Sequence, residues 1–239
     1  MVDPKYEFDL LQPQGDDLDQ GDKADRQGFI RKVYGILSVQ LFFTALSIGV
    51  VQMDPALRLQ MQSYYYTALA MFIFSSILQL ALIWRRDLAR RVPVNYIMLA
   101  LFTMCQAFYF SHVTSFFGAS ETMMAGFMTF GMTLGITAYA MMTSRDMTLC
   151  GSFTVTSVIG IIMFCFISMF MSTFEWWHPV LCTILCVVYG MYLIYDTQLI
   201  AGGHSLALSY DEYIVGASLL YVDIMMLFIE LLRLFGDKK

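Results

Sequence analysis

LLYVDIMMLFIELL, residues 219–232, places apolar side chains on every face of about four helical turns and interrupts them with one central aspartate, Asp223. A helix apolar all round is buried or faces lipid; a soluble surface helix would show a polar stripe. Followed outward, the run extends from Tyr213 to Phe235. Some 20 apolar residues suffice to cross a hydrocarbon core of roughly 30 Å as a helix. Six similar runs precede it, from Val33 to Met53, Tyr64 to Trp84, Val94 to Thr114, Thr122 to Met142, Cys150 to Thr173 and Pro179 to Leu199. The expected fold is therefore an all-α integral membrane protein, a seven-transmembrane-helix bundle.

Composition agrees. Apolar residues make up 58% of the 239 and charged residues 14%, with a mean hydropathy of +0.63. That exceeds what a soluble core of this size requires. The connections between runs are short, so the chain has no soluble domain in which a conventional active site could form. The expectation is a protein that is not an enzyme, has no cofactor and no nucleic-acid partner, and acts within the lipid bilayer or at its faces.

The one long polar segment is the N-terminus, which carries Asp3, Glu7, Asp9, Asp16, Asp17, Asp19, Asp22 and Asp25. Its acidity and scarcity of aromatics predict a disordered cytosolic tail over residues 1–28, followed by the membrane domain over 29–239. No basic n-region leads into a short apolar core, so the first run is expected to serve as the insertion signal. Lys23, Arg26, Arg31 and Lys32 precede the first run, and WRRDLARRVP sets Arg85, Arg86, Arg90 and Arg91 between the second and third. Arg145 follows the fourth, whereas Arg58 stands nearly alone on the other side, where FEWWHP offers interfacial Trp176 and Trp177. Basic flanks stay cytoplasmic, which predicts a cytosolic N-terminus. Seven crossings then leave the C-terminal GDKK on the far side, against the preference of Lys238 and Lys239.

The five cysteines, Cys105, Cys150, Cys165, Cys182 and Cys186, all fall in or beside apolar runs and imply no disulfide framework. Cys182 and Cys186 share a helix face and read as packing residues. His112, His178 and His204 lie toward the ends of runs, where interfacial solvation accounts for them. Gly126, Gly131, Gly135 and Ala138, with Gly151 and Gly160, are small residues of the kind that let membrane helices approach closely. Glu121 follows Ser120 at a helix start, and Glu230 with Arg233 has a spacing that permits an ion pair.

The informative charges lie inside the runs. Asp196, in GMYLIYDTQLIAGG (190–203), and Asp223 each place a carboxylate at membrane depth, at a cost on the order of 2.5–3.5 kcal/mol. Such groups turn inward and find partners. The short connection AGGHSLALSYDE makes the two helices antiparallel and sets the aspartates at depths about one helical turn apart. Two carboxylates that meet in a low-dielectric site cannot both ionise cheaply, and they hold a shared proton until the pH rises. Without it the pair either repels itself open or takes up a cation, and Ca2+ prefers such hard oxygen ligands. The residues point to a pH-sensitive cation pathway with Asp196 and Asp223 as proton sensor and calcium contact. Arg85, at the same membrane face as Asp196, is a candidate latch or a snorkelling side chain.

Several motifs carry a resemblance: GFIRKVYGILSVQL opening the first run, RRVPVNYIMLALFT entering the third, YDTQLIAGG closing the sixth, and LSYDEYIVGASLLYVDIMMLFIELLRLFG at the end. Together, from about residue 28 to 236, they resemble the transmembrane Bax inhibitor motif family, in its Lifeguard-like branch. The resemblance implies seven helices with the last one central, and a calcium leak that lowers an internal store and protects against cell death. It implies residence in an endomembrane, endoplasmic reticulum or Golgi, with plasma or mitochondrial membrane as alternatives. In bacterial relatives, aspartates matching Asp196 and Asp223 form the pH sensor, and an arginine matching Arg85 latches to the first. The acidic tail departs from relatives with a longer Pro- and Gly-rich N-terminus, so partner assignments tied to such tails do not carry over.

Two other classes compete. Intramembrane aspartyl proteases also place aspartates on helices six and seven, the first in a YD pair like Tyr195–Asp196, but LLYVD replaces their GxGD and no PAL sequence follows. A non-conducting membrane protein that regulates a cell-death component or another channel is the stronger alternative.

Overall fold

The computed structural model describes residues 13–143, 177–202 and 206–236. Among these residues the chain forms eight helices: α1 (Pro13–Met53), α2 (Pro55–Ser63), α3 (Tyr65–Trp84), α4 (Arg86–Arg90), α5 (Val94–Thr114), α6 (Ala119–Met142), α7 (Trp177–Ala201) and α8 (Tyr213–Phe235). Six of them are long and apolar enough to cross a membrane. The chain is a multi-pass helical membrane protein. Of the seven runs read from the sequence, six appear as these helices, and the run Cys150–Thr173 lies outside the described residues, as do Cys150, Cys165, Arg145, Trp176 and His204. α5 and α8 begin and end where their runs do.

The N-terminal segment departs from expectation. Where acidity predicts a disordered tail to residue 28, α1 already begins at Pro13. Extending a helix that the membrane run has nucleated fixes one residue per added bond, so upstream turns form at little cost. Proline at the first helical position loses no N–H bond.

α8 is the best-covered helix. Of its most apolar window 83% is buried, against 17–56% in the other five long helices. It packs most heavily on α7 and also against α1 and α6. Polar side chains tie the bundle where lipid gives apolar contact no advantage. Gln40 Nε2 donates to Thr103 Oγ1 at 2.8 Å, Ser47 and Ser111 hydroxyls meet at 2.9 Å, and Thr44 meets the buried Tyr221 hydroxyl at 2.9 Å. Phe102 packs edge-on against the Tyr221 ring.

Contacts at the two ends give each helix a direction. Ile136 of α6 faces Gly190 of α7, and Gln198 Nε2 donates to the Ala140 carbonyl at 3.5 Å, so α6 and α7 run parallel. α6 therefore ends, and α7 begins, on opposite faces of the bundle. α8 starts where Gly216 meets Ile200 and Leu208, and finishes where Gly236 meets Phe117 at the end of α5, so it traverses the full bundle. On that far side Arg58 closes the C-terminus of α5, donating to the carbonyls of Ser115 at 2.8 Å and of Phe117. Asp54 caps α2 by accepting from the Ala56 N–H at 2.8 Å.

Among the described residues the close approaches occur at Gly190 and Gly216, and nothing lies within 4 Å of Gly126, Gly131 or Gly135; Gly151 and Gly160 lie outside the described residues. One local expectation is corrected. His112 is not at a solvated interface but buried, with Nδ1–H donating to the Met61 carbonyl at 2.7 Å and the ring edge-on to Phe116. α2 folds back beneath α5, supplying that carbonyl and excluding water.

Candidate functional site

Asp196 stands five residues inside the C-terminal end of α7, and Asp223 near the middle of α8. Each is 7% exposed. The antiparallel pairing of the two helices brings the two carboxyls within reach of one another. A proton shared between two such carboxyls would leave the pair a single negative charge. The second oxygen of Asp223, Oδ2, is buried without a hydrogen-bond partner among the described residues. Tyr192, one turn before Asp196 on α7, lies near both carboxyls.

The end of α7 is held in place by residues from distant parts of the chain. Gly202 ends the helix with φ +72°, a left-handed conformation that glycine adopts without strain, and its N–H returns to the Gln198 carbonyl at 3.0 Å. The absent side chain also leaves room for the guanidinium of Arg26, which lies directly against Gly202. Arg26 Nε donates to Ala201 O at 3.2 Å, Nη1 to Leu208 O at 2.7 Å and Nη2 to Leu199 O at 3.4 Å. A cation belongs at these last carbonyls, where the helix dipole is negative. Phe29 and Tyr210 flank the same guanidinium at 5.2 and 5.3 Å. Beyond the connection, the buried Glu212 accepts from Arg90 Nη2 at 3.2 Å and from the Ser209 N–H at 3.2 Å. One face of the bundle thus locks the α7–α8 connection to α1 and to the segment between α3 and α5.

Arg85 is not brought to the aspartates here. It ends α3, exposed, with its backbone N–H on the Ala81 carbonyl, and it makes no ion pair with Asp196 among the described residues. The side chain of Arg86 lies outside the described residues. The arginines that do engage this region are Arg26 and Arg90. Sequence reading missed both: they look like two more members of basic flanks whose evident role is topological. Glu212, in the connection, likewise carries no sign of burial.

A resident metal does not suit the pair. Among the described residues no group of three or more His, Cys, Asp or Glu converges. Two carboxylates supply at most four oxygens, against the six to eight that Ca2+ typically takes.

About two turns further along α8, Glu230 is also buried, at 4% exposure, and accepts from Arg233 Nη1 at 3.1 Å, as their spacing predicts.

Comparison with known proteins converges with this geometry. The chain is 30% identical to protein lifeguard 3 of Homo sapiens over 91% of its own length and 71% of that protein. It is 29% identical to Bax inhibitor 1 of Schizosaccharomyces pombe, covering 90% of this chain and 78% of that one. With a BI1-like protein of Arabidopsis thaliana the identity is 32%, covering 91% and 83%. A family model described as inhibitor of apoptosis-promoting Bax1 matches residues 26–239, from the arginine that clamps α7 to the end of α8 and beyond, and the chain belongs to that Bax inhibitor family.

Proposed function

We propose that this chain is a pH-sensitive calcium leak of an intracellular membrane that lowers store calcium and restrains cell death, with Asp196 and Asp223 as its proton sensor. The supporting observation is the approach of two buried carboxyls on neighbouring membrane helices. A bound proton leaves the pair one negative charge, enough to attract a cation without trapping it. Loss of the proton leaves two charges, which bind a cation tightly or recruit a protein cation. Arg85 is the proposed latch: in the proton-sharing arrangement it is exposed and disengaged, and on deprotonation it swings to Asp196 and closes the path. Conductance then rises as pH falls.

In this reading the bundle has seven crossings around a central α8, and its N-terminus faces the cytosol. The opposite faces on which α6 ends and α7 begins favour a further crossing by the apolar run Cys150–Thr173. The coverage of α8 favours its central place. The basic face that holds Arg26 and Arg90 favours a cytosolic assignment for that side. The names of the relatives, lifeguard and Bax inhibitor, favour the role in cell death. The test is Ca2+ flux into dye-loaded liposomes between about pH 6 and pH 8. Flux that rises toward low pH supports the leak. Folded protein with no flux at any pH in that window overturns it and leaves a non-conducting regulator of another membrane protein.

A further inference from the structure

Asp223 and Glu230 are seven residues apart on α8, which returns the side chain to within about 20° of the same helix face and about 10 Å further along the axis. Both are at least nine-tenths buried, and both keep one oxygen, Oδ2 of Asp223 and Oε2 of Glu230, without a hydrogen-bond partner among the described residues. Glu230 Oε1 accepts from Arg233, whose side chain is 38% exposed and so faces the far side of the bundle. From α7, the Cys182 thiol hydrogen-bonds Glu230, and Cys186 and Tyr189 lie beside it. Tyr109 of α5 completes the set of ionisable groups near this carboxylate. Between the two acids, Leu227, Leu231, Cys186 and Tyr189 form a small apolar cluster.

An ion pair placed only for stability would be expected to satisfy both carboxylate oxygens or stand in solvent, because a bare buried acceptor forfeits its hydration without return. Among the described residues Glu230 does neither. Its carboxylate shares the α8 stripe that carries Asp223, and its counter-ion is partly exposed.

Resting on the calcium-leak reading, we infer that Glu230 is a second cation station, on the far side of an apolar constriction from the aspartate pair, and that Arg233 is the built-in cation a divalent ion must displace to enter. A hydrated divalent ion arriving from the Gly236 side meets Glu230 first. It competes with the guanidinium for the carboxylate and then crosses the Leu227 layer to the aspartates. The constriction excludes water when no ion is present, as apolar layers in channels do. Cys182 and Cys186 are then lining residues whose thiols stay neutral.

The test is sided Ca2+ flux in liposomes, read as the half-saturating Ca2+ concentration on the Gly236 side and as the pH at half-maximal flux. Glu230→Gln is expected to raise half-saturation about tenfold, the scale of one lost charge-assisted contact, and to leave the pH midpoint unmoved. Arg233→Gln is expected to lower half-saturation, because it removes the competitor. Opposite signs separate a station from a structural ion pair, for which both substitutions cut flux through misfolding and shift Tm alike. The inference is overturned by Glu230→Gln with native-like Tm and half-saturation within about twofold of wild type. It is overturned equally if both substitutions move half-saturation the same way. Should Glu230→Gln fail to fold, Arg233→Gln alone decides, with unchanged half-saturation counting against the station. Absent flux in the unsubstituted protein removes the leak itself; normal wild-type flux with an unaltered Glu230→Gln removes only this second station.

Discussion

The guanidinium of Arg26 donates to the carbonyl of Leu208 at 2.7 Å, joining the start of the first membrane helix to the connection that follows the sixth apolar run. The same side chain holds Ala201 O and Leu199 O, so one residue restrains both the end of the helix that carries Asp196 and the chain that leaves it. Arg26→Gln keeps some length and donor capacity but loses the charge and three of the five guanidinium N–H donors. Partly buried hydrogen bonds from a charged donor contribute about 1.5–3 kcal/mol, so a fall in Tm of several degrees is expected in detergent. Faster hydrogen exchange at residues 199–208 should accompany it. A Tm unchanged by Arg26→Gln would show that the clamp holds nothing the rest of the bundle does not.

Gly202 faces that clamp with φ +72°. Gly202→Ala costs about 1 kcal/mol for the left-handed backbone alone. The new methyl also meets the Arg26 guanidinium and must push it from the carbonyls. The two costs separate in a double-mutant cycle. In an Arg26→Ala background only the backbone part should remain, so Gly202→Ala is expected to lose clearly less stability there than in the wild-type chain. Equal losses in both backgrounds would place Arg26 elsewhere in the working protein.

The aspartate pair has a pH dependence whose sign follows from its proton. A proton shared between Asp196 and Asp223 is held at low pH and lost as pH rises through the titration of the pair. With the proton-bound form conducting, flux falls as pH rises. Asp196→Asn removes the charge that Arg85 would engage, and is expected to give flux that no longer varies with pH. Asp223→Asn keeps a donor for Asp196 through its amide and should also flatten the profile, with smaller loss of stability than Asp223→Ala, which strands the Asp196 carboxylate. Liposome flux at several pH values, with Tm as the folding control, distinguishes these outcomes. A wild-type-like profile in both asparagine variants would remove the pair from the gating step.

Arg85→Gln tests the latch separately. Since Arg85 is exposed and disengaged beside a proton-sharing pair, the substitution should leave Tm and low-pH flux nearly unchanged. Surface charges away from packed features usually alter stability by no more than about 0.5 kcal/mol. At high pH, where wild type closes, flux should persist. Closure at high pH in Arg85→Gln would assign the latch to another cation, with Arg26 and Arg90 the arginines already tied to this face.

The sequence made one class of feature readable and hid another. Runs such as Val94–Thr114 and Tyr213–Phe235 announce themselves because lipid demands apolar side chains on all sides, and a charge inside such a run, Asp196 or Asp223, stands out against that demand. Their meeting was legible because a short connection leaves antiparallel neighbours little choice of register. Arg26 with Leu208 and Arg90 with Glu212 were hidden, being long-range contacts between groups that look like solvated flanks in the linear chain. The Asp54-capped helix α2, which buries His112, lies in a stretch too polar and short to register as an element beside its apolar neighbours.

Arg90 and Glu212 offer a test of asymmetry. Glu212 is buried at 2% exposure while Arg90 is 43% exposed, so removing one partner does not mirror removing the other. Arg90→Gln takes the arginine's charge away from a buried carboxylate, whereas Glu212→Gln leaves an arginine that water can solvate. After allowance for solvent screening at Arg90, the expected cost is about 1–2 kcal/mol for Arg90→Gln and under about 1 kcal/mol for Glu212→Gln. The gap between them should change little with added salt, which screens exposed charge more than buried charge. Tm measured for both variants across ionic strength checks this, and a larger loss in Glu212→Gln than in Arg90→Gln would mean that Glu212 holds the connection through contacts other than this ion pair.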